Sequence, residues 1–185
     1  MDAKENKQNG LRYFRIKTEW MAEGENGALG KTKTEELVLA TSYTEAEAAA
    51  YAIAENQNRT RFGSINIEIV KTKISDVICN EILESGETLM QGLVEQYFEE
   101  GEDSGVGLYA VKIIEFILDE VTGVTKRTTE TLYVPALSNA DATSRINKLL
   151  SKTLSEYVIR DVKFDKAAAI YWPVEVYQSK LRANA

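Results

Sequence analysis

One phrase, written twice, limits how this chain can fold. Ser42–Ala48 reads "SYTEAEA" and Ser138–Ser144 reads "SNADATS", each just after a β-like run that ends in alanine. The runs correspond as well. "YFRIK" (Tyr13–Lys17) and "KTKTEELVLA" (Lys31–Ala40) precede the first phrase; "LYAVK" (Leu108–Lys112) and "TKRTTETLYVPA" (Thr125–Ala136) precede the second. After each phrase comes a further β-like run, "NIEIVK" (Asn66–Lys71) and "VIRDVK" (Val158–Lys163). A period of roughly half the chain is the mark of an internal duplication.

The phrase itself reads as punctuation between strand and helix. Ser42 and Ser138 are placed as helix N-caps, with Glu45 and Asp141 three residues on, able to reach back to the free backbone N–H groups. Behind them Ala46, Ala49, Ala50 and Ile53, and then Ala142, Ile146, Leu149, Leu150 and Thr153, form apolar stripes at helical spacing. Glu45 and Asp141 are therefore read as caps rather than catalytic acids. Val121-Thr122-Gly123 separates two β-prone runs and predicts a hairpin turn with glycine at positive φ. Ala22–Gly30, "AEGENGALG", predicts a longer hairpin tip; it lacks the lysine and the strand–helix setting of a phosphate loop.

The predicted fold is α+β: a duplicated β-hairpin–α–β unit with helices packed on small antiparallel sheets. Residues 1–10 are expected to be a disordered lead-in and 11–78 the first repeat. Residues 79–107 form an inter-repeat segment with a short helix from Thr88 onwards and an acidic linker. The second repeat is 108–166, and 167–185 is a C-terminal arm that Pro173 confines to an edge or an extended tail.

Composition removes several chemistries. The 185 residues include no histidine and a single cysteine, Cys79. The usual general base, the Ser-His and Cys-His pairs and a cysteine metal cage are thus missing. A net charge of −7 opposes strong non-specific binding to nucleic acid. No apolar run is long enough to cross a bilayer, and the polar "MDAKENKQNG" opening is not a secretory signal, so a cytoplasmic or virion-associated protein is expected. The acidic run Glu99–Gly105 lacks calcium-loop spacing and reads as a solvated linker. Asp119 and Glu120 at a hairpin tip face Lys126 and Arg127, which predicts cross-strand charge pairing rather than acid–base work.

"FILDEVTGVTKRT" (Phe116–Thr128), "SYTEAEA" and "ISDVI" (Ile74–Ile78) together resemble an uncharacterised domain-of-unknown-function family of Bacteroidota and their phages, over about Tyr13 to Phe164. The resemblance implies a Bacteroidota cell, phage or mobile element as the source. It brings no activity, cofactor or site residues. Asn80–Gly107 is longer than that family's pattern, and the ending "IYWPVEVYQSKLRANA" departs from it.

The function expected from these readings is a non-enzymatic binding or assembly protein, without cofactor or metal, acting through a protein partner or self-association and not through a membrane. Its contact residues are expected at Leu93, Tyr97 and Phe98 and along the arm at Tyr171, Trp172, Val174, Val176 and Tyr177. One alternative is a single-stranded nucleic-acid-binding protein that stacks bases on sheet aromatics, with Arg12, Tyr13, Arg15, Lys17, Lys31 and Lys33 as its surface. A histidine-free, carboxylate-dependent enzyme is the other.

Overall fold

The structure, a computed structural model, describes residues 10–78, 87–88 and 92–183. The expected lead-in, apart from Gly10, lies outside the described residues, as does most of 79–91. Two compact units are formed: Met1–Thr72 with Leu83–Tyr97 and Ala167–Ala185, and Lys73–Ile82 with Phe98–Lys166. The fold is α+β.

The first unit opens with two twelve-residue strands, β1 (Arg12–Glu23) and β2 (Leu29–Ala40), paired antiparallel along their whole length. Helix α1 (Tyr43–Asn56) follows, then β3 (Asn66–Lys71), antiparallel to β1. The second unit repeats this order with β7 (Gly107–Leu118), β8 (Thr125–Ala136), α2 (Asn139–Leu150) and β9 (Glu156–Asp165). In each, the third strand pairs on the open side of the first, giving the order third–first–second.

Each sheet gains one more strand against the second arm of its hairpin, running parallel to it. In the second unit this is β4 (Asp76–Val77), beside β8. In the first it is β10 (Ala169–Pro173), beside β2. Strands β6 (Leu93–Tyr97) and β5 (Glu87–Thr88) extend that sheet beyond β10, and α3 (Val174–Ala183) follows. The last five residues of β2 and of β8 are all buried, on both faces of the pleat.

Both caps form as the spacing predicts. Ser42 Oγ accepts from the Glu45 N–H at 3.1 Å, and Ser138 Oγ accepts from the Asp141 N–H at 3.1 Å. The acids reach one residue past the cap: Glu45 accepts from the Thr41 N–H at 2.6 Å, Asp141 from the Leu137 N–H at 3.0 Å. Under α1, Phe14, Ile16, Val38, Ala40, Ala169 and Tyr171 pack against Ala46, Ala50 and Ile53. Under α2, Tyr109, Val111, Leu132, Val134 and Ala136 meet Ala142, Ile146 and Leu150. Gly123 has φ of 68° in the β7–β8 turn, where a side chain would be strained. At Gly107 a Cβ would lie 2.7 Å from the Phe164 ring, so glycine lets the ring close over the strand start.

Two expectations are corrected here. The stretch from Thr88 that was expected to be helical is, in its described part, strand β6. It pairs antiparallel with β10, and the pleat buries Val94 and Glu95. The tail does not reach out. Ala169 and Tyr171 enter one core while Ile170 and Trp172 are buried on the opposite face, so β10 is an interior strand; Pro173 stands at its end. Beyond it the tail turns helical, and Tyr177 stacks at 5.6 Å on Trp172. The acidic run is exposed from Glu99 to Ser104 and closes as a tight loop, in which the Glu99 N–H donates to the Val106 carbonyl at 2.9 Å.

Ser42→Ala and Ser138→Ala are each expected to cost about 0.5–2 kcal/mol, the usual loss for an N-cap. Denaturant titration of the single variants checks this, with wild-type stability in either one as the contrary result.

Candidate functional site

A cluster of charged and polar side chains is buried within the first unit. Glu36 projects from β2 on the helix-facing side, opposite Ile16. Arg59, just after α1, donates two hydrogen bonds to its carboxylate, one at 2.9 Å from Nη1 and a shorter one from Nη2. The Arg59 guanidinium also lies 4.7 Å over the Trp20 ring. Gln57 accepts from Arg59 and donates to Glu95 at 2.6 Å and to the Tyr171 hydroxyl at 3.0 Å. The Tyr171 hydroxyl donates to Glu95 at 2.5 Å, and Glu36 lies 3.4 Å from it.

The electrostatics follow from this crowding. Burial works against the charge on Arg59, but the hydrogen bonds and charge of Glu36 outweigh it and hold the guanidinium protonated. Burial, then the charge of Glu36 and the bond to Glu95, push the Tyr171 phenol well above the ordinary tyrosine range. Tyr171 therefore stays a donor. The network reaches solvent through Tyr97, 58% exposed, whose hydroxyl lies 3.3 Å from Gln57 Nε2. Gln57 also lines an open cleft of about 430 Å³ with Trp20, Glu23, Asn58, Arg61 and Phe62.

The second unit shows that the frame does not require this cluster. Leu132 stands four residues before Ala136, as Glu36 stands four before Ala40, and Leu132 belongs to an apolar core. A buried ion pair is weak as a source of net stability but costly to break from one side. Its role here is positional: it ties the turn after α1 to β2, β6 and β10.

A second difference lies on the sheet face away from the helix. The eighth, tenth and twelfth residues of β1 are Glu19, Met21 and Glu23; those of β7 are Ile114, Phe116 and Leu118. In the first unit Glu19 takes two ion pairs, with Lys31 at 2.8 Å and Lys33 at 3.1 Å. In the second the same positions are apolar, and Leu118 is 62% exposed. Val158 of β9, opposite Ile114, is 52% exposed, and Val121, Val124 and Leu154 beside the hairpin tip and before β9 are exposed too. β9 is an edge strand, paired only with β7 among the described residues.

The residues expected to bind a partner are mostly spent inside the fold. Tyr171, Trp172, Tyr177 and Phe98 are buried, Leu93, Val174 and Val176 half-buried, and only Tyr97 is open. Trp172 Nε1 donates to the Tyr13 hydroxyl at 3.0 Å. The nucleic-acid set is scattered as well. Tyr13 is buried, Arg15 pairs with Glu35 at 3.2 Å, and Lys31 and Lys33 share Glu19. Of this set, Arg12 and Lys17 are the exposed cations outside these ion pairs, and Glu68 lies across from Lys17. Asp119 caps its own turn, accepting from the Val121 and Thr122 N–H groups at 3.0 and 3.2 Å. Those bonds lower its pKa, the Thr122 one most, and Lys126 approaches to 3.8 Å. Sequence reasoning missed the apolar face of β7–β9; the signal was available in "FIL" (Phe116–Leu118), where the first repeat reads Met21–Glu23.

Glu36→Leu alone strands the Arg59 charge and is expected to cost about 3–5 kcal/mol. Adding Arg59→Leu is expected to recover most of that, as Leu132 does in the other unit; a double variant no better than the single contradicts it. Tyr171 sets an alkaline limit. Below about pH 10 both folded and unfolded chains keep its proton. Above that, the unfolded chain binds fewer protons than the folded one, so stability falls as pH rises. Tyr171→Phe is expected to flatten this decline in urea titrations at stepped pH, and an unaltered slope contradicts the assignment.

Residues 12–174 match the model of DUF4494, a domain of unknown function. No curated protein and no solved structure matches the chain. With the match spanning nearly both units in full, the chain belongs to the DUF4494 family.

Proposed function

We propose that the protein is a non-enzymatic binding or assembly protein that works through protein–protein contacts made by the outer face of its second unit. One observation carries this reading: on a shared frame, the first unit covers that face with ion pairs while the second leaves Leu118 and Val158 apolar and exposed, with Phe116 half-buried beside them. Contiguous exposed apolar surface is uncommon on a chain that stays alone, and it marks contact sites. The buried acids of the first unit are held by Arg59, Gln57 and Tyr171, which favours a scaffolding role for them over acid–base chemistry. The Bacteroidota phage or mobile-element setting and a cytoplasmic or virion location belong to the same proposal.

A photo-crosslinking residue at Leu118, expressed in cells of the source organism, tests it. A discrete adduct is expected that disappears when Val158→Lys is added, with none from the same probe at Lys33. Adducts of equal yield from both positions, or none from Leu118, contradict the proposal.

A further inference from the structure

Among the described residues, strand β9 offers an unpaired backbone edge next to that apolar face, and its side chains say what fits it. Along Glu156–Arg160 the exposed residues are Glu156, Val158 and Arg160, alternating with half-buried Tyr157 and Ile159. Antiparallel pairing of this stretch with itself about a two-fold axis at Val158 sets Val158 against Val158. The same register sets Tyr157 opposite Ile159 on the other face and brings Glu156 to the bulged Arg160 at each end of the short ladder. Opposite charges and aromatic–β-branched pairs are the combinations that stabilise adjacent strands.

The corresponding edge of the first unit does the reverse. Strand β3 carries exposed Glu68 near its middle, so two-fold self-pairing there stacks carboxylate on carboxylate. Edge strands are ordinarily guarded by charge, proline or a bulge. β9 has a register shift opposite Lys112/Ile113, which places the extra residue at Arg160 and ends the regular stretch there. The residues before it, from Glu156 to Ile159, carry a single charge, Glu156, and in this register it meets an arginine rather than another acid.

We propose that the occupant of this edge is a second copy of the chain, joined β9 to β9 across a two-fold axis, so that two four-stranded sheets become one. Closed two-fold pairing consumes the β9 edge of both copies. This rests on the reading of the outer face of the second unit as a contact surface and names a partner for the edge beside it. The short ladder makes the dimer reversible, so it forms with rising concentration.

Sedimentation equilibrium of the full chain tests the inference. Wild type is expected to move from monomer to dimer with concentration, and Val158→Lys to weaken dimerisation at least tenfold. Glu156→Arg, on an exposed position, is expected to weaken it too, and Glu156→Arg with Arg160→Glu to restore it. Glu68→Lys on β3 is expected to change nothing, and thermal melts confirm that each variant is folded. A wild type that remains monomeric, or dimers indifferent to both Val158→Lys and the charge swap, overturns the inference. If the wild type is monomeric while the Leu118 probe captures a different protein, self-pairing fails and the contact surface stands. If neither association is seen, both fail.

Discussion

Each unit depends on one parallel strand laid against the second arm of a long hairpin. A hairpin with a single helix can bury only one sheet face, and its second arm would be an edge. With β10 beside β2 and β4 beside β8, that arm becomes a central strand. The runs Glu36–Ala40 and Leu132–Ala136 are buried without a break, and the added strand pairs their backbone on the side the hairpin leaves open. The helix then has a continuous floor to pack on, and the capping serines set where it starts.

Much of this frame was legible in the residues. The hairpins, the capped helices and the third strands follow from local pattern: glycine at a turn, serine before an alanine-rich stripe, alternation in "NIEIVK". The added strands were not legible, because their partners are far away in the chain. Tyr171 and Glu36 are 135 residues apart, and Gln57 and Glu95 are 38 apart. No local period announces such a meeting. The run Ile170–Trp172 is apolar at successive positions, which suits a strand buried on both faces and equally an arm in search of a partner. Its end at Pro173 favoured the arm; pairing on both sides of β10 decides for the strand.

The two units share a frame and differ in where polarity is placed. The first keeps acids, an arginine, a glutamine and a tyrosine inside, and covers its outer sheet face with Glu19, Lys31 and Lys33. The second is apolar inside at Leu132 and apolar outside at Leu118 and Val158. Each thus serves as a control for the other: whatever the fold needs should be found in both. Capping and the added strand are in both. The buried ion pair and the bare apolar face are each in one only, so neither is a requirement of the frame.

Hydrogen–deuterium exchange of the two edge strands, read at low and high protein concentration, tests the central claim most directly. The outward amides of an unpaired edge exchange freely, and those of a paired strand are protected. The account predicts that amides within Glu156–Ile159 of β9 slow as concentration rises while those of β3 keep their rate. Equal rates at both concentrations in β9, or slowing in β3 instead, would contradict it.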